Sequence, residues 1–240
     1  MSILSEQVRS TKSRPYRMRR RAERVDETRL RITEAAMRLH TTVGPSNTSI
    51  STVAVEAGVT RLTVYRHFKN QDELFDACRR HWYTTNPPPD ASAWRSIPHL
   101  EGRARRAFAE LYRWYGEHGE DLYPIYRDMA SMPQSAQDDV RTQWAAVADA
   151  LVDGVAVAPR AVRRLRAVAG HLIGLPTWRS FVVEQGLTEE EAVDVAVRLL
   201  GAAALVDEAD VAAGGRGPVR STRHGAAPGV RHRYGHVPSK

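Results

Sequence analysis

Residues 48–74, reading TSISTVAVEAGVTRLTVYRHFKNQDEL, constrain the fold more than any other stretch. Ile50, Val53, Ala54 and Ala57 recur at helical spacing, so a short helix starting near Thr48 or Ser49 buries that face. Gly58 breaks it, because glycine takes positive φ at little cost, and Val59 plugs the turn. Thr60 is a fair N-cap for a second short helix, in which Val64 and Phe68, four apart, face inward. Asn70 with Glu73 three residues on resembles a capping box and opens a further helix carrying Leu74, Phe75 and Cys78. Ahead of all this, Ile32, Ala35, Ala36, Leu39 and Val43 form one apolar stripe. That stripe begins near the acidic pair Asp26-Glu27 and stops at Gly44-Pro45. The pattern is that of a helix-turn-helix.

Beyond it, Pro87-Pro88-Pro89 cannot continue a helix, which places a domain boundary there. Further helical segments are predicted over 100–118, 122–129, 133–157, 160–184 and 188–207. Pro124 interrupts the second of these near its start, and Pro176 kinks or breaks the fourth. Thr188 with Glu191 is a capping box. No alternating run of strand length stands out, so the expected class is all-α: a three-helix head and a larger helical body. The expected organisation is a disordered basic arm over 1–24, the head over 25–84, the body over 91–209 and a disordered basic tail over 214–240.

The net charge of +7 is unevenly spread. Residues 1–24 carry eight basic and two acidic groups, and residues 214–240 carry six basic and none acidic. Residues 83–213 carry 13 basic and 19 acidic groups, so the body is acidic. Basic arms around such a body suggest a polyanion partner, or else a pair of solubilising tails. The single cysteine, Cys78, excludes an intramolecular disulfide and a cysteine-based zinc site. No apolar run reaches the length of a signal peptide or a membrane span, so a cytoplasmic protein is expected. Hydrolase, nucleotide-binding and zinc-protease signatures are absent, which points away from an enzyme and from a cofactor. His224, His232 and His236 have no cysteine or carboxylate near them, so no metal is expected.

If Val64 and Phe68 face inward, Arg61, Leu62, Thr63 and Arg66 face outward, where the first turns of a helix in the major groove meet base edges. Arginine bonds guanine bidentately, and leucine or threonine packs on a thymine methyl. Tyr65 and His67 lie at the flanks, suited to phosphates. Thr48, Ser49, Thr60 and Lys69 sit at or just before helix N-termini, where free N–H groups favour a phosphate. Double-stranded DNA is the expected partner.

Residues 27–82 resemble the DNA-binding head of the TetR family of transcriptional regulators. The likeness rests on Ile32, Ala35-Ala36, Leu39, Gly44, Thr48-Ser49-Ile50, Ala54, Ala57-Gly58-Val59, Thr63 through Phe68 and Asp72-Glu73-Leu74. It implies a homodimer, a palindromic operator and a regulatory helical body. It also implies base reading at Arg61, Leu62 and Thr63, with phosphate contacts at Thr48, Tyr65, His67 and Lys69. Three residues depart from the pattern. His40 stands where the family often has an aromatic, which predicts looser packing; Leu62 stands for Gly or Pro, and Gln71 for Lys.

The body matches less closely. Trp178-Arg179-Ser180-Phe181 and the stretch from Glu184 to Val193 resemble the last two helices of some actinobacterial-type members, which form the family's dimer interface. The apolar face from Ala192 to Ala204 looks broader than core packing needs, so a homodimer through these helices is expected. An effector pocket is expected among the middle helices, from Trp114, His118, Tyr123, Tyr126, Met129, Trp144, His171 and Trp178, each of which also fits ordinary core or interface packing. The reading is a ligand-responsive repressor released by an unknown small molecule. Its rivals are a constitutive architectural nucleic-acid binder using the basic tails, and a small-molecule-binding protein with a vestigial head.

Overall fold

A computed structural model describes the backbone of residues 13–157 and 159–213, with side chains over 16–157, at 159 and over 161–205. Residues 1–12 of the expected arm and the whole expected tail, 214–240, lie outside the described residues. The described residues are mostly helical and contain no strand. The helices are α1 (Ser13–Thr42), α2 (Ile50–Glu56), α3 (Arg61–His67), α4 (Gln71–Thr85), α5 (Ala91–Trp94), α6 (Leu100–Arg127), α7 (Gln134–Val152), α8 (Pro159–Leu172), α9 (Leu175–Arg179) and α10 (Glu189–Ala213). A π-helical turn, Ser180–Glu184, follows α9.

Two cores form, and α4 joins them. The head core gathers Ile32, Ala35 and Ala36 of α1, Val53 and Ala54 of α2, and Val64 of α3, with Ala57 and Phe68 at the ends of α2 and α3 and Leu74 and Cys78 of α4. One turn after Cys78, Trp82 enters the body core beside Trp114. The head boundaries follow their caps. Ser49 Oγ accepts from Thr52 N at 3.1 Å while Thr52 Oγ1 accepts from Ser49 N at 2.8 Å. Thr60 Oγ1 accepts from Thr63 N at 3.2 Å, and Asn70 Oδ1 from Glu73 N at 2.9 Å. Gly58 closes α2 at φ 64°. At the other end of the molecule the Thr188–Glu191 capping box forms in both directions, at 3.2 and 2.8 Å.

Several expectations are corrected. The basic arm is helical from Ser13, not disordered through residue 24. Its Arg, Met, Ala and Glu residues are good helix formers, and Arg19 pairs with Glu23 one turn on at 3.1 Å. Val43 lies beyond the end of α1 and is 43% exposed, so it does not extend the stripe.

The segments expected over 100–118 and 122–129 are one helix, α6, ending at Arg127. Pro124 falls in its last turn and does not break it. Within it, a Cβ at Gly119 would come within 2.6 Å of the Trp178 ring, so the glycine is needed for close packing. The segment expected over 160–184 is three pieces, with Pro176 in the first turn of α9, where proline is tolerated.

The apolar face of α10 is not surplus: Ala192, Val193, Ala196, Val197, Leu200 and Ala203 are already buried within the chain. His40 does not loosen the head; it is buried and stacked on Phe75 with ring centroids 4.4 Å apart.

Candidate nucleic-acid interface

α3 is short, and its two faces differ completely. Val64 is fully buried, and Phe68 behind it is 1% exposed. On the opposite side Arg61, Leu62, Tyr65 and Arg66 are exposed, Leu62 at 75%. A leucine that open is not held there by packing. Thr63 is half-buried, its hydroxyl 2.9 Å from that of Thr60, so it is partly engaged before any partner arrives.

The flanking residues are held differently from one another. Thr48 is half-buried and its hydroxyl donates to the Gly44 carbonyl at 2.9 Å, while Ser49 is exposed and serves as the α2 cap. His67 is half-buried; burial first, then the positive charges of Arg66 and Arg29, hold its pKa below the ordinary value. The Lys69 side chain is exposed, but its backbone N–H already donates to Glu73 Oε2 at 2.9 Å. The carboxylate of Glu73 thus occupies the anion position expected of a phosphate at the start of α4. That bond is the main reason the Glu73 pKa is lowered, with Arg29 adding to it.

Arg29 is the residue that sequence reasoning missed. It donates to the His67 carbonyl, pairs with Glu73 at 3.2 Å and lies over the Phe68 ring at 4.1 Å. One α1 side chain therefore fixes the end of α3 and the start of α4. Its only signal in the sequence is position, one turn before Ile32 and Thr33.

A second basic surface precedes the head. Residues 16–27 of α1 are exposed, and Arg17, Arg20, Arg21 and Arg24 share one face at spacings of three and four.

The eight expected pocket residues do not line a common cavity. Trp114 is buried against Trp82 and His118, and Trp178 against Gly119 and Tyr115. Trp144 packs on the body core as well. These are aromatic core positions, and the indole N–H groups of Trp114 and Trp178 have no hydrogen-bond partner. Tyr123 and Tyr126 line a separate shallow cleft, with the Arg179 guanidinium 3.9 Å over the Tyr123 ring. Met129 sits in the turn after α6, and His171 is exposed. Among the described residues no cluster of His, Cys, Asp or Glu is arranged to hold a metal, and no helix is long and apolar enough to cross a membrane.

Comparison with known proteins bears on the two regions unequally. Residues 32–78 match the family described as bacterial regulatory proteins, tetR family. The chain is 42% identical over 57 residues to the HTH-type transcriptional regulator AcrR of Shigella flexneri, covering 24% of this chain and 26% of that protein. It is 43% identical over 60 residues to the HTH-type transcriptional regulator TtgR of Pseudomonas putida, covering 25% and 29%. The chain thus spans between a quarter and a third of the length of the curated relatives it matches. A tetR-family transcriptional regulator from Streptomyces coelicolor shares the fold over 78% of this chain and 86% of that one, with a TM-score of 0.53 and 18% identity. Through its head, residues 32–78, this chain is similar to the tetR family of bacterial regulatory proteins.

Proposed function

We propose that this chain is a cytoplasmic, homodimeric DNA-binding transcriptional regulator, not an enzyme, acting as a repressor that a small molecule bound in the C-terminal region releases from a palindromic operator. The observation that carries the reading is the outward face of α3. Arg61, Leu62, Tyr65 and Arg66 stand exposed on a helix whose other face is sealed into the head core. That combination of two guanidinium groups, an apolar side chain and a phenol suits base edges, methyls and phosphates in a major groove.

Arg61, Leu62, Thr63 and Arg66 are the proposed base contacts. Tyr65, His67 and the side chain of Lys69 are the proposed phosphate contacts, together with the α2 and α3 N-terminal residues Thr48, Ser49 and Thr60. Two heads on one palindrome require recognition helices about 34–36 Å apart, so a ligand that changes their separation by a few ångströms weakens binding by population shift.

Dimerisation through α8 and α10 rests on the family likeness and on their outer faces. Leu199 is 47% and Leu205 62% exposed on α10, and Ala167, Gly170 and His171 are exposed on α8.

The test is selection of bound sites from a random duplex pool, followed by footprinting. One palindromic site is expected, and Arg61→Ala with Tyr65→Ala abolishes its binding while the thermal melt stays unchanged. Length-dependent binding without a site favours the architectural reading instead.

A further inference from the structure

A partly open cavity of about 110 Å³ lies where the head meets the body. Its walls are α1, α4, the last turns of α6 and the first turns of α7. Phe75 and Trp82 make much of its interior apolar and aromatic. Three carboxylates, Asp72, Asp76 and Asp139, line it with one guanidinium, Arg79, and Arg80 pairs with Asp76 from outside the lining, which leaves the site net negative.

The second observation is His40. It is 5% exposed, lines the cavity, and is stacked on Phe75. Its ring nitrogens make no hydrogen bond to any described residue. The ring lines the cavity without its nitrogens being sealed away as orphans, so a ligand group there can bond them. Burial keeps the imidazole neutral, so it offers one acceptor and one donor.

We propose that this junction cavity binds a small apolar molecule bearing an ammonium group, and that its occupancy controls the head. The apolar part packs on Phe75 and Trp82, and the charge is drawn to the aspartates and to the aromatic faces. A carboxylate ligand would meet a net negative lining.

Control follows from what the cavity borders; this half rests on the regulator reading above. Ser135 Oγ donates to Asp72 at 2.8 Å, and Arg79 pairs with Asp139 at 2.8 Å. Both links join α4 to α7. An ammonium competing for either aspartate loosens α4 from the body, and α4 carries Leu74 and Cys78 of the head core.

The test uses the full-length protein and three probes: 2-phenylethylammonium, its uncharged shape analogue propylbenzene, and the anion 3-phenylpropanoate. Binding is read by ligand-observed NMR and tryptophan fluorescence. The ammonium is expected to bind about tenfold more tightly than the anion, a difference of about 1.4 kcal/mol. Ala136→Trp, which fills the cavity, abolishes ammonium binding. Asp139→Asn weakens it about three- to fivefold, as expected for a partly exposed charge pair, and leaves propylbenzene unchanged. Equal affinity for all three probes, or ammonium binding undiminished in both variants, overturns the site. Repeating the titration with selected DNA separates the two proposals. DNA binding without probe binding overturns the site and leaves the regulator reading standing. Probe binding by a chain that binds no DNA does the reverse. Probe binding that leaves DNA affinity unchanged overturns the control.

Discussion

The head and the body are both helical but are held together differently. The head core is built largely from small and β-branched residues, and its helix starts are set by local side chains: Ser49, Thr60 and Asn70 each cap the helix that follows, while Arg29 of α1 holds the end of α3 from farther away. The body core is built around Trp94, Phe108, Tyr112, Trp114, Tyr115 and Trp178, and the ends of α7 and α8 are set by side chains from far along the chain. Tyr112 and Tyr115 donate to the carbonyls of Leu172 and Ile173 at 2.8 Å each, where α8 ends. Arg103 is buried and donates to the carbonyls of Ile97, Leu151 and Asp153, closing the end of α7. Local capping makes the head a unit that presents a surface. Long-range capping makes the body a unit that must fold as a whole.

The largest break in this comparison is a cavity in the body. Phe108 is fully buried, so Phe108→Ala should cost about 3–5 kcal/mol of stability. The double change Arg61→Ala with Tyr65→Ala should leave stability within about 0.5 kcal/mol, because both side chains are exposed. Urea unfolding of the two variants checks both. A Phe108→Ala loss under about 1 kcal/mol would mean that the aromatic core is not what holds the body.

That contrast also explains what the sequence disclosed. A cap lies within four residues of what it caps, and an apolar stripe repeats every three or four, so the head was legible almost residue by residue. The ends of α7 and α8 depend on partners roughly 50 to 60 positions away, as Arg103 and Tyr112 are from theirs, and no window of sequence holds both ends. Nor does a short window show that Gly119 packs under the indole of Trp178, which comes much later in the chain. The expected pocket residues scattered for a related reason. Aromatic residues mark both cores and pockets, and only the fold decides which. Of the cavity lining, Cys78 and Phe75 were read as core and His40 only as a departure from the family pattern.

The next effect sits where the two regions meet. His40 titrates near 6.5 when unfolded and is held down to about 4 in the folded chain by burial. Above 6.5 both states are neutral and nothing is lost. Between 6.5 and 4 the unfolded chain takes up a proton that the folded chain refuses, so stability falls as pH falls, by up to about 3 kcal/mol. Asp72, Asp76, Asp139, Arg79, Cys78 and Tyr83 share the cavity lining with it. His40→Phe should flatten the stability profile between pH 7 and 5 in urea titrations. Below that range the loss should continue in the variant. The carboxyl of Asp128 is held below the usual carboxylate range by Arg127 and by Ser46 of the head, and that stabilisation disappears as the group protonates. A variant profile as steep as the parent's from pH 7 to 5 would clear His40 of the effect.

Smaller still are the caps. Ser49→Ala removes the acceptor for Thr52 N at the start of α2, and Asn70→Ala the acceptor for Glu73 N at the start of α4; each should cost about 1 kcal/mol. The two sites use separate partners and should add. Hydrogen exchange at the first turns of α2 and α4 locates the loss. Protection lost equally across the body would show that head and body do not open separately, and the comparison between local and long-range capping would fail.

The smallest effect on stability belongs to the surface where the effect on binding should be plain. Arg17, Arg20, Arg21 and Arg24 lie on a stretch of α1 that is exposed throughout, so replacing all four with alanine removes only the exposed contact of Arg20 with the Tyr16 ring, and alanine is the better helix former. The melt should stay within about 0.5 kcal/mol of the parent. If this face lies along the DNA backbone, each phosphate contact releases about 0.9 counterion, so the slope of log K against log salt should drop by about two to four units. The remaining slope then reports the contacts of α3 and its flanks. Because the head itself carries eight basic and seven acidic groups over 25–82, a few placed residues and this helix must supply its attraction to DNA. A slope unchanged by the four substitutions would assign the whole electrostatic contribution to the head and leave the basic face of α1 without a part in binding.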